Sequence, residues 1–157
     1  MGKMNVHTTV WGIGNPLLCD DAAGLEVIRL LEELAPEGFS LRSCELAPGN
    51  FLSTLRRESP KRFFLVDASD MGLPPGSVRR LSLDRIDDPS FTSHDFPINR
   101  LLEDALPQDC VACVIAIQPT STDFHMGLTP AVAEAAQTCA TLLAEGRSAE
   151  IPELEGA

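Results

Sequence analysis

Two aspartates and a histidine stand where alternating strands and helices would place ligands. They are Asp21 in Gly14-Asn15-Pro16-Leu17-Leu18-Cys19-Asp20-Asp21, Asp67 in Phe63-Phe64-Leu65-Val66-Asp67-Ala68, and His94 in Thr92-Ser93-His94-Asp95. Two carboxylates and an imidazole form an oxygen/nitrogen donor set suited to a borderline divalent ion. Each residue also has a simpler reading. Aspartates opening a helix are stabilised by its unpaired N–H groups, by about 1 kcal/mol. Only one residue can be the cap; that role falls to Asp20, leaving Asp21 free to point across the strand ends. An aspartate closing a buried strand, as Asp67 does, carries a desolvation cost that either ligand duty or loop N–H groups must offset. Asp70 suits turn contacts. A histidine such as His94, taken alone, fits a cap or the surface; the case for the three rests on a shared destination.

That destination depends on the elements. Thr8 to Ile13 is a short apolar, β-branched run stopped by Gly14, as in a buried strand. Ala23, Val27, Leu30, Leu31 and Leu34 then recur at helical spacing until Pro36. Phe39 to Leu46 reads as a second strand, and Asn50 to Arg57 as a short helix closed by Pro60. Phe63 to Val66 is apolar without alternation, as in a parallel strand covered on both faces. Ser77 to Leu83 reads as a more exposed edge strand. Pro97 opens a helix burying Ile98, Leu101, Leu102 and Ala105. Val111 to Ile117 is another buried strand. Thr129-Pro130 provides a cap and first-turn proline for a helix stopped by Gly146. The expected architecture is one α/β domain over residues 1–146. It is a three-layer sandwich around a mostly parallel, twisted five-stranded sheet with one antiparallel edge strand. Residues 147–157 lack an apolar face and are expected to form a mobile tail. In such sheets ligands lie beyond the carboxyl ends of the strands, which puts Asp21 and Asp67 on one edge and His94 with them if its loop folds over.

At 157 residues, 44% hydrophobic and 22% charged, the chain can bury a sizeable core. No apolar run reaches bilayer length, so no membrane insertion is expected. With no signal-peptide pattern and five irregularly spaced cysteines, a reducing, cytoplasmic setting follows. A net charge of -11 repels phosphates and argues against nucleic acid; it suits cations or a basic segment of a partner, or simply solubility. No nucleotide is expected either. Gly12-Ile13-Gly14 lacks the third glycine of a dinucleotide fingerprint, and Asp20 and Asp21 occupy the place of the pyrophosphate.

Other nucleophiles and ligands carry less. Cys110 and Cys113, three apart in an extended segment, point to opposite faces and fit ordinary burial. Cys19 is the one thiol in the ligand loop. There is no Gly-x-Ser-x-Gly elbow. His7 reads as part of a mobile terminus. His125 suits a solvent-facing position, with support of a ligand as the alternative.

At these residues the chain resembles the hydrogenase maturation proteases, which trim the C-terminal extension of the nickel-iron hydrogenase large subunit. The matching pieces are Gly14-Asn15-x-x-x-x-Asp20-Asp21, Val66-Asp67-Ala68-x-Asp70-Met71-Gly72, His94-Asp95-x-Pro97 and Ile117-Gln118-Pro119. With Ala47-Pro48-x-Asn50, they most resemble the branch serving formate-hydrogenlyase hydrogenases. Many members carry glycine after the acidic pair; here Ala22 follows, with Gly24 two residues on. The resemblance implies an endopeptidase in which Asp21, Asp67 and His94 are catalytic and metal-binding. It implies that the cofactor is nickel, that of the substrate itself, and that the partner is the large-subunit precursor. Two other readings stay open: a self-contained metallohydrolase with its own zinc or manganese acting on a small substrate, and a non-catalytic chaperone of the immature subunit.

Overall fold

The computed structural model describes residues 7–83 and 98–155. Five strands form one sheet: β1 (Thr8–Ile13), β2 (Phe39–Glu45), β3 (Arg62–Ala68), β4 (Val78–Ser82) and β5 (Val111–Ile117). Their order is β2-β1-β3-β5-β4, parallel except for β4, which pairs antiparallel with β5 at one edge. Among the described residues four α-helices complete the fold: α1 (Ala23–Leu34), α2 (Leu52–Glu58), α3 (Ile98–Ala105) and α4 (Pro130–Ala144). The α/β sandwich expected from the pattern is therefore the fold.

Side-chain parity in the strands divides the core in two. Val10, Phe64, Val66, Ile115 and Ile117 face α1 and α4, meeting Val27, Leu31, Val132 and Ala136. Trp11, Phe63, Leu65, Val114 and Ala116 face the other way, onto Leu55 of α2 and Ile98 and Leu102 of α3. Burial of consecutive residues in Phe63–Val66 is what a central parallel strand requires. Cys110 and Cys113 follow the same parity: the first packs against the α2/α3 cluster, the second against the α1/α4 cluster. Burial pushes both thiols up to about 11, the reverse of what a reactive thiolate needs.

Glycines let α1 lie directly on the sheet. A Cβ on Gly24 would stand 2.2 Å from the Val66 carbonyl oxygen, and one on Gly12 would stand 2.3 Å from that of Gly24. The helix thus rests on main chain at the carboxyl ends of β1 and β3.

Two expectations need correction. His7 is not loose: its N–H donates to Gly38 O, and its carbonyl accepts from Lys61 and Arg62. The segment after Gly146 is tied down as far as Leu154. Ile151 is 2% exposed within the α1/α4 core, Arg80 N–H donates to Pro152 O, and Leu154 N–H donates to Arg80 O. One isoleucine shows no periodicity, so its anchoring role left no pattern to read. Ile151→Ala is expected to cost about 2–5 kcal/mol, measured by urea unfolding; a loss under about 0.5 kcal/mol would mean the tail contributes no packing.

Candidate functional site

The chain leaves β1 for β2 in one direction and reaches β3 on the other side of β1, so the switch point of the sheet lies between β1 and β3. In open α/β sheets the crevice at this point is where ligands bind. Asp21 and Asp67 stand there. Gly14, with φ of 144°, turns the chain out of β1, and a Cβ at this position would stand 2.0 Å from Asp21 O. A 3₁₀ turn, Cys19–Ala22, then leads into α1. Asp21 Oδ2 accepts the Asn15 N–H at 2.7 Å, and Asn15 Oδ1 accepts the Leu17 N–H at 2.9 Å, so the loop is folded around its own side chains.

Asp67 is the penultimate residue of β3, opposite Ala116 of β5, and is 5% exposed. It shares parity with Phe63 and Leu65 and so stands on the α2/α3 face. Burial drives its carboxyl well above the ordinary aspartate range, and the Asp21 charge raises it further, against a lowering hydrogen bond from Ala68 N–H. The half-buried Asp21 carboxylate and the buried Asp67 carboxylate repel each other, and a cation between them would relieve the repulsion.

His94 lies outside the described residues. Ile98, four residues on, is buried on the α2/α3 face. Among the described residues no three His, Cys, Asp or Glu side chains group to hold a metal ion.

Asp20 departs from its expected role. Neither the 3₁₀ turn nor α1 has a side-chain cap, and Asp20 turns the other way. Its fully buried carboxylate accepts from Thr120 N–H at 2.9 Å, Ser121 N–H at 3.2 Å, Thr129 N–H at 2.8 Å and the Thr129 hydroxyl at 2.7 Å. Burial pushes this carboxyl up, but the bonds from Thr129, Thr120 and Ser121 outweigh it and hold it below the usual range. Its contribution to stability is therefore present at neutral pH and lost as pH falls through that lowered value. Thr129 does precede Pro130 in extended backbone, yet its hydroxyl serves Asp20 rather than the helix.

Gln118 is a second organiser. Its Oε1 accepts from Met71 and Leu73 N–H, and its Nε2 donates to Asp70 Oδ1. Asp70 also accepts from Gly72 N–H, the turn contact expected of it. Gln118 stood in the sequence only as part of a motif, and nothing local announced partners some 45 residues away. His125 is exposed, as expected, but its main chain pairs with the ligand loop: Cys19 N–H donates to His125 O, and His125 N–H to Leu17 O. A groove of about 520 Å³ among His7, Arg62 and Gly146 sits at the opposite end of the strands, away from this corner.

Fold and corner together define an α/β protein with two neighbouring carboxylates, Asp21 and Asp67, at its switch point. The family model for hydrogenase maturation protease matches residues 46–145. The hydrogenase 3 maturation protease of Escherichia coli K12 is 34% identical over 132 residues, covering 80% of this chain and 81% of that protein. A putative hydrogenase maturation protease of Methanocaldococcus jannaschii is 31% identical over 131 residues, covering 79% and 85%. The crystal structure of a hydrogenase 3 maturation protease superposes with a TM-score of 0.83 at 27% identity, covering 96% of this chain and 98% of that one. The solution structure of endopeptidase HycI from Escherichia coli gives 0.82 at 27% identity, covering 97% and 100%. The chain belongs to the hydrogenase maturation protease family, a family of peptide-hydrolysing enzymes. Among the described residues no helix is long and apolar enough to cross a membrane.

Proposed function

We propose that this protease removes the C-terminal extension of a nickel-iron hydrogenase large-subunit precursor after nickel has been inserted. The observation that carries this reading is the convergence of Asp21 with the buried Asp67 at the switch point between β1 and β3. In this reading His94 completes the set. In sequence His94 precedes by four residues Ile98, which is buried on the sheet face that Asp67 shares by strand parity.

The nickel arrives with the substrate. Held by Asp21, Asp67 and His94, it identifies a loaded precursor and brings the neighbouring peptide bond to the crevice. Water attacks the scissile carbonyl carbon, the C–N bond breaks, and a proton passes to the departing amine. The positive charge in the crevice stabilises the developing oxyanion and eases deprotonation of the water. An apolar groove of about 410 Å³, lined by Leu46, Pro48, Leu52, Ile98 and Leu101, gives an extended peptide a place to lie.

Asp21→Ala and His94→Ala are each expected to reduce cleavage of nickel-loaded precursor by at least about 10³-fold, with circular dichroism unchanged. Mass spectrometry of the precursor, with and without nickel, measures it. Cleavage at the normal rate by both variants would refute the assignment, and equal cleavage of nickel-free precursor would refute the role of the metal.

A further inference from the structure

The loop between β5 and α4 is joined to the loop after β1 through one buried side chain. Asp20 receives all four of the bonds described above from residues 120, 121 and 129, and its own N–H donates to Ser121 O at 3.0 Å. The pairing of Leu18 with His125 lies beside it. The next residue along the chain is Asp21. Resting on the functional reading above, we infer that Asp20 is a positioning residue for the hydrolysis: it anchors the 3₁₀ turn to the 120–129 loop and so fixes the Asp21 carboxylate against Asp67.

The chemistry of the pocket demands a carboxylate at position 20. Three of its partners are backbone N–H groups and the fourth is a hydroxyl that donates. An asparagine there would turn an NH₂ group toward donors on one side, setting donor against donor and costing the turn at least one of its part-buried N–H bonds. The turn would then lose its anchor, while the groove that receives the peptide, built from the segment between β2 and α2 together with α2 and α3, would keep its lining.

Two measurements test this on the full chain. In the first, Asp20→Asn is expected to lower kcat for nickel-loaded precursor about 10- to 100-fold with KM unchanged, the signature of misplaced groups rather than weakened binding. Thr129→Val, which removes only the hydroxyl, is expected to lower kcat in the same sense, and Thr129→Ser to recover most of it. In the second, amide hydrogen exchange in the free enzyme reads the position of Asp21 through Asn15 N–H, which donates to its Oδ2. Asp20→Asn is expected to deprotect Asn15 together with Thr120, Ser121 and Thr129. Loss of protection at the three loop amides with Asn15 unchanged would overturn the inference, as would an unchanged kcat. Thr129→Val supplies both readings should Asp20→Asn not fold. Wild-type enzyme that leaves loaded precursor intact would sink the functional reading instead, and the exchange at Asn15 would still decide the positioning role.

Discussion

Asp67→Asn is expected to leave the precursor uncut and at the same time to raise the melting temperature at pH 7. The carboxylate is buried at the end of β3 and faces the charge of Asp21, and both effects raise its pKa above that of the unfolded chain. Below the unfolded value both states hold the proton, and the residue costs nothing. As pH rises past that value the unfolded chain sheds its proton while the folded chain retains it. Stability falls until the raised folded value is passed. An asparagine has no such dependence. The variant's advantage is therefore absent in acid and grows toward neutrality, each kcal/mol relieved adding about 2–4 °C. Melting curves of both proteins from pH 4 to pH 8 measure it; a constant gap, or a less stable variant at pH 7, would contradict the account. Loss of cleavage alongside gained stability would mark Asp67 as a residue kept for chemistry.

Gly24→Ala is expected to damage both fold and activity. Alanine is the better helix former by about 1 kcal/mol, so propensity alone predicts stabilisation. The contact decides otherwise. The new methyl would lie 2.2 Å from Val66 O and 2.8 Å from Ile13 O, both main-chain atoms that no side-chain rotation can move. The helix must retreat by on the order of 1 Å to reach ordinary van der Waals distance, at a cost of about 1–3 kcal/mol. That retreat opens the space between Asp21, three residues before Gly24, and Asp67, one residue after Val66. A misplacement of this size lowers turnover by about 10²-fold. Thermal melting and precursor cleavage, run side by side, would rule the argument out if neither changed.

The architecture was legible because its signals are local. Strand periods, the glycine after β1 and the unbroken apolar run before Asp67 each lie within a few residues of the element they specify, so sheet, helices and antiparallel edge strand all followed. The placement of Asp21 and Asp67 followed from the rule for strand ends. Long-range partners were not legible. Asp20 looked like a cap because aspartates at helix starts usually are, yet its donors lie 100 and more residues away. Gln118 and Ile151 are similar: single residues whose roles come from what folding brings beside them. The glycine at position 24, rather than directly after the acidic pair, makes sense only once the carbonyls beneath α1 are seen.

Arg80 has one further effect. It sits in the outermost strand, where unspent N–H and C=O groups would invite an extended segment of a second molecule to add to the sheet and seed aggregation. Here both groups are already taken by residues 152 and 154 of the same chain. A newcomer would have to peel that strap away first, pulling Ile151 from its socket, so the segment after α4 works as a guard against fibril-like growth as well as a fastening.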